Sequence, residues 1–342
     1  MRNRIVRFAK IGGPEVLEIF DEKTTSPMEG EVRIKVKALG LNQAEVMLRE
    51  GRYVGSPKFP SRIGIEASGI IEEVGEKVSQ WKIGDEICAI PFLSWDDNDY
   101  WTSDSIEKYG TYGDTAIIPA WTITKKISHH SFEEAAAAWC QYLTAWGGLV
   151  YNSDIKNRKS CVITGASSSA AIGAMQIVKT FGLKVIGVSR TLKKEKELKE
   201  IGYDEVLALT DNNLEEQIMD YTNGIGFDLA YDCVGGEYFV KLINTVKPRG
   251  LIVNYGNLNL NSSPVHTLPL LSKRIHLRFH SIFDTMRFDE QRIEGVNWIN
   301  DKMDKKILKP IISKTFNLDQ IVDAHKYLAE GNQLGKTVVI TT

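Results

Sequence analysis

Gly165, Ser168 and Ala171 stand three residues apart just after a β-branched run, Cys161–Thr164. An amphipathic pattern follows to Phe181-Gly182, and a second apolar run, Lys184–Val188, comes next. Strand, tight turn, helix and strand in that order make a βαβ unit. The helix N-terminus of such a unit holds a pyrophosphate through backbone N–H groups. Glycine is the usual residue at all three spaced positions, so Ser168 and Ala171 make a degraded form of the motif. Ser167, Ser168 and Ser169 offer hydroxyl donors in place of bare backbone. Gly165, Ser167, Ser168, Ser169, Ala170 and Ala171 are therefore the expected dinucleotide contacts.

The second run ends at Ser189-Arg190. An NAD-selective site places Asp or Glu there, about 20 residues past the glycines, on the ribose 2′-hydroxyl. Ser189 donates a hydrogen bond instead, and Arg190 presents a planar fork suited to a phosphate. With Lys193 adding charge one turn on, the expected cofactor is NADP(H). Lys194 and Lys196, within KKEKELKE, read as a solvated helix face.

Other suggestive residues reduce to plainer roles. His276 and His280 have i,i+4 spacing, but Ile275–Phe279 reads as a strand with no further ligand nearby, so no metal is expected. His129-His130 reads as a linker surface. Gly335-Lys336-Thr337 resembles the end of a phosphate loop. Gly331 is one residue too close, however, and a strand follows rather than a helix. Ser94–Lys108 carries Trp95, Tyr100 and Trp101 among five acids, and is either a mobile aromatic lid or a surface excursion.

Two domains are needed to position these groups in 342 residues. Residues 1–127 hold short β-runs (Glu31–Leu39, Ala67–Val74, Glu86–Ile90, Thr115–Pro119) without long helices between them, which predicts a β-barrel-type domain. A helix over Phe132–Gly148 opens on a capping-box pattern at Ser131. Strands and helices then alternate to His276–His280, predicting a six-stranded doubly wound parallel sheet over 128–284. The tail, 285–342, with a helix Asp289–Met303, a short helix Leu318–Ala329 and a strand Thr337–Thr341, is assigned back to the first domain. The chain would then cross twice and leave a cleft. An apolar fraction of 43% and a net charge of −2 fit a globular protein with no footprint for nucleic acid or membrane. Four scattered cysteines and no apolar leader point to reduced thiols and a cytoplasmic location.

Several stretches carry a resemblance that spans nearly the whole chain. They are Asn42…Arg49-Glu50-Gly51-Arg52-Tyr53, Arg62–Gly69, Val74-Gly75…Val78…Ile83-Gly84-Asp85, Tyr109–Gly113, Gln141–Ala145, Asp232–Gly236 and Pro248-Arg249-Gly250…Tyr255-Gly256. In order, they resemble the medium-chain dehydrogenase/reductase superfamily, and most closely its quinone oxidoreductase branch. The resemblance implies an α/β protein with a GroES-like catalytic domain and a Rossmann NADP-binding domain. By the same resemblance Thr144 faces the nicotinamide or its ribose, while Cys233, Val234, Asn254, Tyr255 and Gly256 wall the cofactor site. It also implies a homodimer paired through His276–His280.

The departures narrow the chemistry. Zinc alcohol dehydrogenases of this superfamily have a cysteine where Asn42 stands and a histidine where Ile65 stands. An amide and an aliphatic side chain do not replace thiolate and imidazole on zinc. The expected function is thus zinc-independent, NADPH-dependent hydride transfer to a small molecule, a quinone or an α,β-unsaturated carbonyl. By resemblance Asn42 and Tyr53 are the candidate catalytic residues, bonding the oxygen that gains charge. Glu66, with no zinc to serve, is expected to be structural. The alternatives are an enoyl-thioester reductase with Tyr53 as proton donor, a zinc-free alcohol dehydrogenase-like protein, and a non-enzymatic NADPH-binding protein.

Overall fold

The computed structural model describes residues 3–341 except Val54, Ser56, Asn212 and Leu260. Its contacts divide the chain into two compact units, Met1–Cys140 with Lys309–Thr342, and Gln141–Leu308.

The first unit is built on a mixed sheet ordered Ile123–Lys125, Glu86–Ala89, Ala67–Val74, Glu31–Leu41, Lys336–Ile340, Ile312–Asn317, with Thr115–Pro119 also paired to Glu31–Leu41. A smaller sheet joins Leu17–Asp21, Arg4–Phe8 and Ser61–Arg62. The long strand Glu31–Leu41 pairs antiparallel with both Ala67–Val74 and the C-terminal strand, with Val338 opposite Gly40 and Ala67 opposite Leu39. Buried Val32, Ile34, Val36 and Ala38 alternate along it, as a half-buried strand requires. This pairing carries Lys336 to the start of Gln43–Arg49, the helix that leaves the far end of the strand.

The second unit holds the predicted parallel sheet. Its six strands run Glu205–Ala208, Lys184–Ser189, Ser160–Thr164, Phe227–Asp232, Val246–Asn254, His276–Phe279 from edge to edge, every pair parallel. Fully buried apolar runs such as Cys161-Val162-Ile163 mark its interior strands. Strand order reverses between Ser160–Thr164 and Phe227–Asp232, which places a ligand crevice at their carboxyl ends.

The units meet the chain at places other than 127/128 and 284/285. The helix Phe132–Ala136 packs on Glu31–Leu41 and Ala67–Val74, where Ser68 Oγ donates to Phe132 O at 2.6 Å. It therefore stays with the first unit. Ile282–Arg287 and Asp289–Asp304 stay with the second, because Gly295 lies against Trp146 and Leu143 with no room for a Cβ. The single helix expected over Phe132–Gly148 is three pieces: Phe132–Ala136, Trp139–Ala145 and a wider turn over Trp146–Tyr151. Gly147 sits in that turn where a Cβ would fall 2.2 Å from Thr285 Oγ1.

Ser94–Lys108 carries secondary structure of its own. It is a hairpin, Ser94–Trp95 with Trp101–Thr102, running into the helix Asp104–Tyr109. One Asp96 carboxylate oxygen accepts from the amides of Asn98 and Tyr100, both at 2.9 Å, and so closes the turn. None of the four cysteines forms a disulfide. Among the described residues no helix is long and apolar enough to cross a membrane.

Candidate functional site

In the first unit, Asn42 precedes the helix Gln43–Arg49 and is almost buried. Its backbone N–H donates to Glu45 Oε2 at 2.6 Å, one turn into the helix. Its side-chain amide is held at both ends. Nδ2 donates to Gly40 O at 3.0 Å and faces Glu66 Oε2 at 3.3 Å, while Oδ1 accepts from Lys336 Nζ at 2.6 Å. The same ammonium donates to Glu66 Oε2 at 2.6 Å, and Glu66 Oε1 accepts from the Cys140 amide at 2.9 Å. Lys336 and Glu66 are both fully buried. Burial works against the lysine charge, yet Glu66, Cys140 and Glu45 together hold its pKa above the ordinary value. Glu66, expected to be structural, thus anchors one side of the cluster.

Lys336 is the residue that spacing could not find. Its nearest sequence signal is the rejected Gly335-Lys336-Thr337, and its partners lie 294 and 270 residues away.

Glu45 stands behind Asn42. Tyr112 OH donates to its Oε2 at 2.7 Å and the Ile65 amide to its Oε1 at 2.9 Å. Burial nevertheless pushes the Glu45 carboxyl up to about 7. Tyr53 is half-buried, and burial, then Cys140 and Glu45, raises its phenol above the usual range. It therefore keeps its proton at neutral pH. Ile65 lies in an apolar wall with Ile90, Phe92, Ile106 and Tyr109.

In the second unit, the predicted cofactor residues gather at the carboxyl edge of the parallel sheet. Gly165 turns the chain with a positive φ of 65°, and a Cβ there would fall 2.8 Å from Cys233 Sγ. Ser168 caps the helix Ser169–Thr180 by accepting from Ala171 N at 3.2 Å. Ser167, Ser169 and Ala170 are part-exposed around that turn, at the helix N-terminus where an anion is favoured. The buried Asp232 ties the neighbouring strand ends together. Its Oδ1 accepts from Thr164 Oγ1 at 2.6 Å and Val234 N at 3.1 Å. Its Oδ2 accepts from Gly235 N at 3.1 Å and Asn254 Nδ2 at 3.0 Å. Asn254 Nδ2 also donates to Gly256 O at 3.0 Å, and Tyr255 stacks on Tyr231 with ring centroids 3.9 Å apart. Burial raises the Cys233 thiol to about 12, which suits a wall residue rather than a nucleophile.

Ser189 ends its strand buried, with Arg190 exposed beside it. Lys193 is exposed. Lys194, assigned from sequence to a solvated face, is half-buried, and burial and then the Arg190 charge lower its pKa. Lys194 thus joins Arg190 in one positive patch. Thr144 is nearly buried, and its backbone bonds the ring of His280, which burial brings down to about 4. His276 lies at the other end of the strand, about 13 Å away along extended chain, too far to share a metal.

These residues fit a dinucleotide: a turn without a Cβ, a capped helix N-terminus and a cationic patch beyond the second strand. They do not fit zinc. The donors beside Lys336 are an amide and one carboxylate, and that carboxylate already accepts from an ammonium and a backbone amide.

The sequence profile described as "Alcohol dehydrogenase GroES-like domain" matches residues 28–128, and that described as "Zinc-binding dehydrogenase" matches residues 171–298. Human quinone oxidoreductase is 27% identical over 340 residues, covering 98% of this chain and 97% of the relative. The crystal structure of an NAD-dependent alcohol dehydrogenase matches with a TM-score of 0.89 at 26% identity, covering 99% of this chain and 100% of that one. Escherichia coli quinone oxidoreductase complexed with NADPH matches with a TM-score of 0.87 at 25% identity, covering 98% and 99%. Both domain types follow one another in the expected order, and relatives of one kind span the whole length. The chain belongs to the medium-chain dehydrogenase/reductase superfamily and is a quinone oxidoreductase-like oxidoreductase.

Proposed function

We propose that this oxidoreductase uses NADPH to reduce a quinone or an α,β-unsaturated carbonyl, without a catalytic metal. The observation that carries this assignment is the Asn42–Lys336–Glu66 cluster. Where a metal-dependent relative needs thiolate and imidazole, this chain has an amide and an aliphatic side chain, and its carboxylate is engaged by a lysine. Alcohol oxidation is helped by a Lewis acid that acidifies the hydroxyl, and the residues around Asn42 do not fit one. A quinone or enone needs no such help, because the arriving charge delocalises onto its oxygen.

Bound NADPH supplies the hydride. The chain's own residues bind, orient and stabilise. Gly165, Ser167, Ser168, Ser169, Ala170 and Ala171 hold the pyrophosphate, while Ser189, Arg190 and Lys193 take the 2′-phosphate, with Lys194 adding charge. Cys233, Val234, Asn254, Tyr255 and Gly256 wall the site, and Thr144 orients the nicotinamide end. The Tyr53 phenol stays protonated and offers a hydrogen bond to the oxygen that becomes enolate or quinol. With its pKa raised, it serves better as a hydrogen-bond donor than as a full acid. Asn42 Nδ2, which bonds Gly40 O and, at 3.3 Å, Glu66 Oε2, becomes the second donor at that end by exchanging the longer Glu66 contact for the substrate oxygen. The apolar wall at Ile65, Ile90 and Phe92 suits a planar, uncharged acceptor.

Steady NADPH oxidation with phenanthrenequinone or an enone tests the assignment. Turnover with crotonyl thioester alone would move it to the enoyl-thioester class. Cofactor binding with no turnover of any acceptor would make the protein a binding module.

The assembly we propose is a homodimer. The edge strand His276–Phe279 leaves Phe279 72% exposed, and Leu268 and Leu271 on the adjacent helix are 74% and 75% exposed. An apolar edge of that kind is ordinarily covered. Sedimentation equilibrium of the purified chain checks it: a monomer at micromolar concentration would contradict it.

A further inference from the structure

We propose that Lys336 is a positioning residue of this site: its ammonium clamps the Asn42 amide and supplies a fixed, tethered positive charge beside it. The inference rests on placing Asn42 at the reacting end of the site, as proposed above. Asn42 Oδ1 and Glu66 Oε2 each lie 2.6 Å from Nζ, and both charged side chains are fully buried. A lysine is almost never fully buried unless paired. Burying such a pair costs desolvation that apolar residues of the same volume would not incur. Mere stability is therefore a poor reason for it.

The surrounding backbone is shaped to admit this side chain. A Cβ on Gly40 would meet Lys336 Cε at 2.8 Å and Glu66 Oε2 at 3.0 Å. Gly335 turns the chain into the last strand with a positive φ of 97°. Because Nζ donates only, it dictates which end of the Asn42 amide carries oxygen. Nδ2 is then the end left facing Gly40 O and Glu66. A substrate oxygen at Nδ2 takes the place of the longer Glu66 contact, at 3.3 Å, and an ammonium on Oδ1 draws density from the amide and strengthens Nδ2 as a donor to it as charge arrives. Glu66 holds the lysine in turn, and the Cys140 amide holds Glu66.

The test uses the full-length protein with NADPH and phenanthrenequinone, and five variants: N42A, K336M, K336R, the doubly neutral E66Q/K336M, and N42A/E66Q/K336M. K336M alone leaves Glu66 buried without its cation and is prone to misfold. E66Q/K336M removes both charges and keeps the volume. The expected result is a kcat about 10²-fold lower in E66Q/K336M, with an unchanged NADPH dissociation constant by fluorescence titration. K336R is expected to recover part of that loss. Adding the pair of substitutions to N42A is expected to cost little more. Wild-type kcat in E66Q/K336M beside a slow N42A would overturn the positioning role while leaving Asn42 in place. Wild-type kcat in N42A would overturn the placement of Asn42, and the inference with it. Equal, additive losses in both backgrounds would make the effect of Lys336 independent of Asn42 and overturn the clamp.

Discussion

Thr164 Oγ1 donates to Asp232 Oδ1 at 2.6 Å, joining the carboxyl ends of the first and fourth strands of the parallel sheet where its order reverses. Thr164 Oγ1 also accepts from Cys233 N at 3.1 Å, so one hydroxyl fixes both the turn before Gly165 and the wall at Cys233. Replacing Thr164 with Val keeps the shape and removes both bonds, leaving Asp232 and the Cys233 amide short of a partner. A loss of about 1–3 kcal/mol is expected. NADPH affinity, read by fluorescence titration, should weaken about tenfold while chemistry on saturated enzyme changes little. An unchanged dissociation constant would remove this pair from the cofactor site.

Cofactor choice is assigned to Ser189 and Arg190. Arg190→Ala should raise the KM for NADPH about 10- to 100-fold, the worth of one charge-assisted bond, and leave that for NADH unmoved. Ser189→Asp should add repulsion against the 2′-phosphate and shift the preference towards NADH. Equal kcat/KM for the two cofactors in the unaltered protein would sink the assignment.

Stability should respond to pH through three buried groups of opposite sign. Glu45 has a folded pKa of about 7, above the roughly 4.3 of an unfolded glutamate. Between those values the folded chain keeps a proton that the unfolded chain has lost. Its contribution therefore favours folding at low pH and costs about 4 kcal/mol once pH exceeds the folded value. His325 and His280 are driven down to about 3 and about 4, in each case first by burial. Below the unfolded value of roughly 6.5, only the unfolded chain takes up their protons. Their contribution is complete above that pH and is lost progressively towards pH 3–4. Urea midpoints across this range should show Glu45→Gln removing the decline on the neutral side and sparing the acid limb. A decline of wild-type size in that variant would place the titration elsewhere.

Gly40 should be the least forgiving position near the cluster. A Cβ there would lie 2.0 Å from Ala136 O, which is backbone and cannot swing aside. Gly40→Ala is expected to lower stability by about 1–3 kcal/mol, and kcat with it as Lys336 is displaced. A urea midpoint within error of wild type would contradict that packing.

The parallel sheet was legible because its interior strands are buried on both faces and read as largely apolar runs. The expected run Lys184–Val188 falls within the observed strand Lys184–Ser189. Ala67–Val74 and Thr115–Pro119 are strands over the predicted residues. Less legible were elements set by distant contacts. The expected long helix breaks after Ala136, and its later turn at Gly147 lies against Thr285 and His280, which local periodicity does not contain. The short strands Ser94–Trp95 and Trp101–Thr102 exist through an Asp96 turn too brief to leave a pattern. Lys336 gains its meaning only when the last strand pairs with Glu31–Leu41, placing Val338 opposite Gly40. A motif search sees it merely as a failed phosphate loop.

The central claim is hydride transfer to a quinone or enone without a catalytic metal. It is tested most directly by the rate of NADPH oxidation with phenanthrenequinone before and after exhaustive dialysis against a chelator, with metal content measured in parallel. The expected result is the same kcat in both samples and no stoichiometric zinc in either. One zinc per chain, with activity lost on its removal and regained on its return, would contradict it.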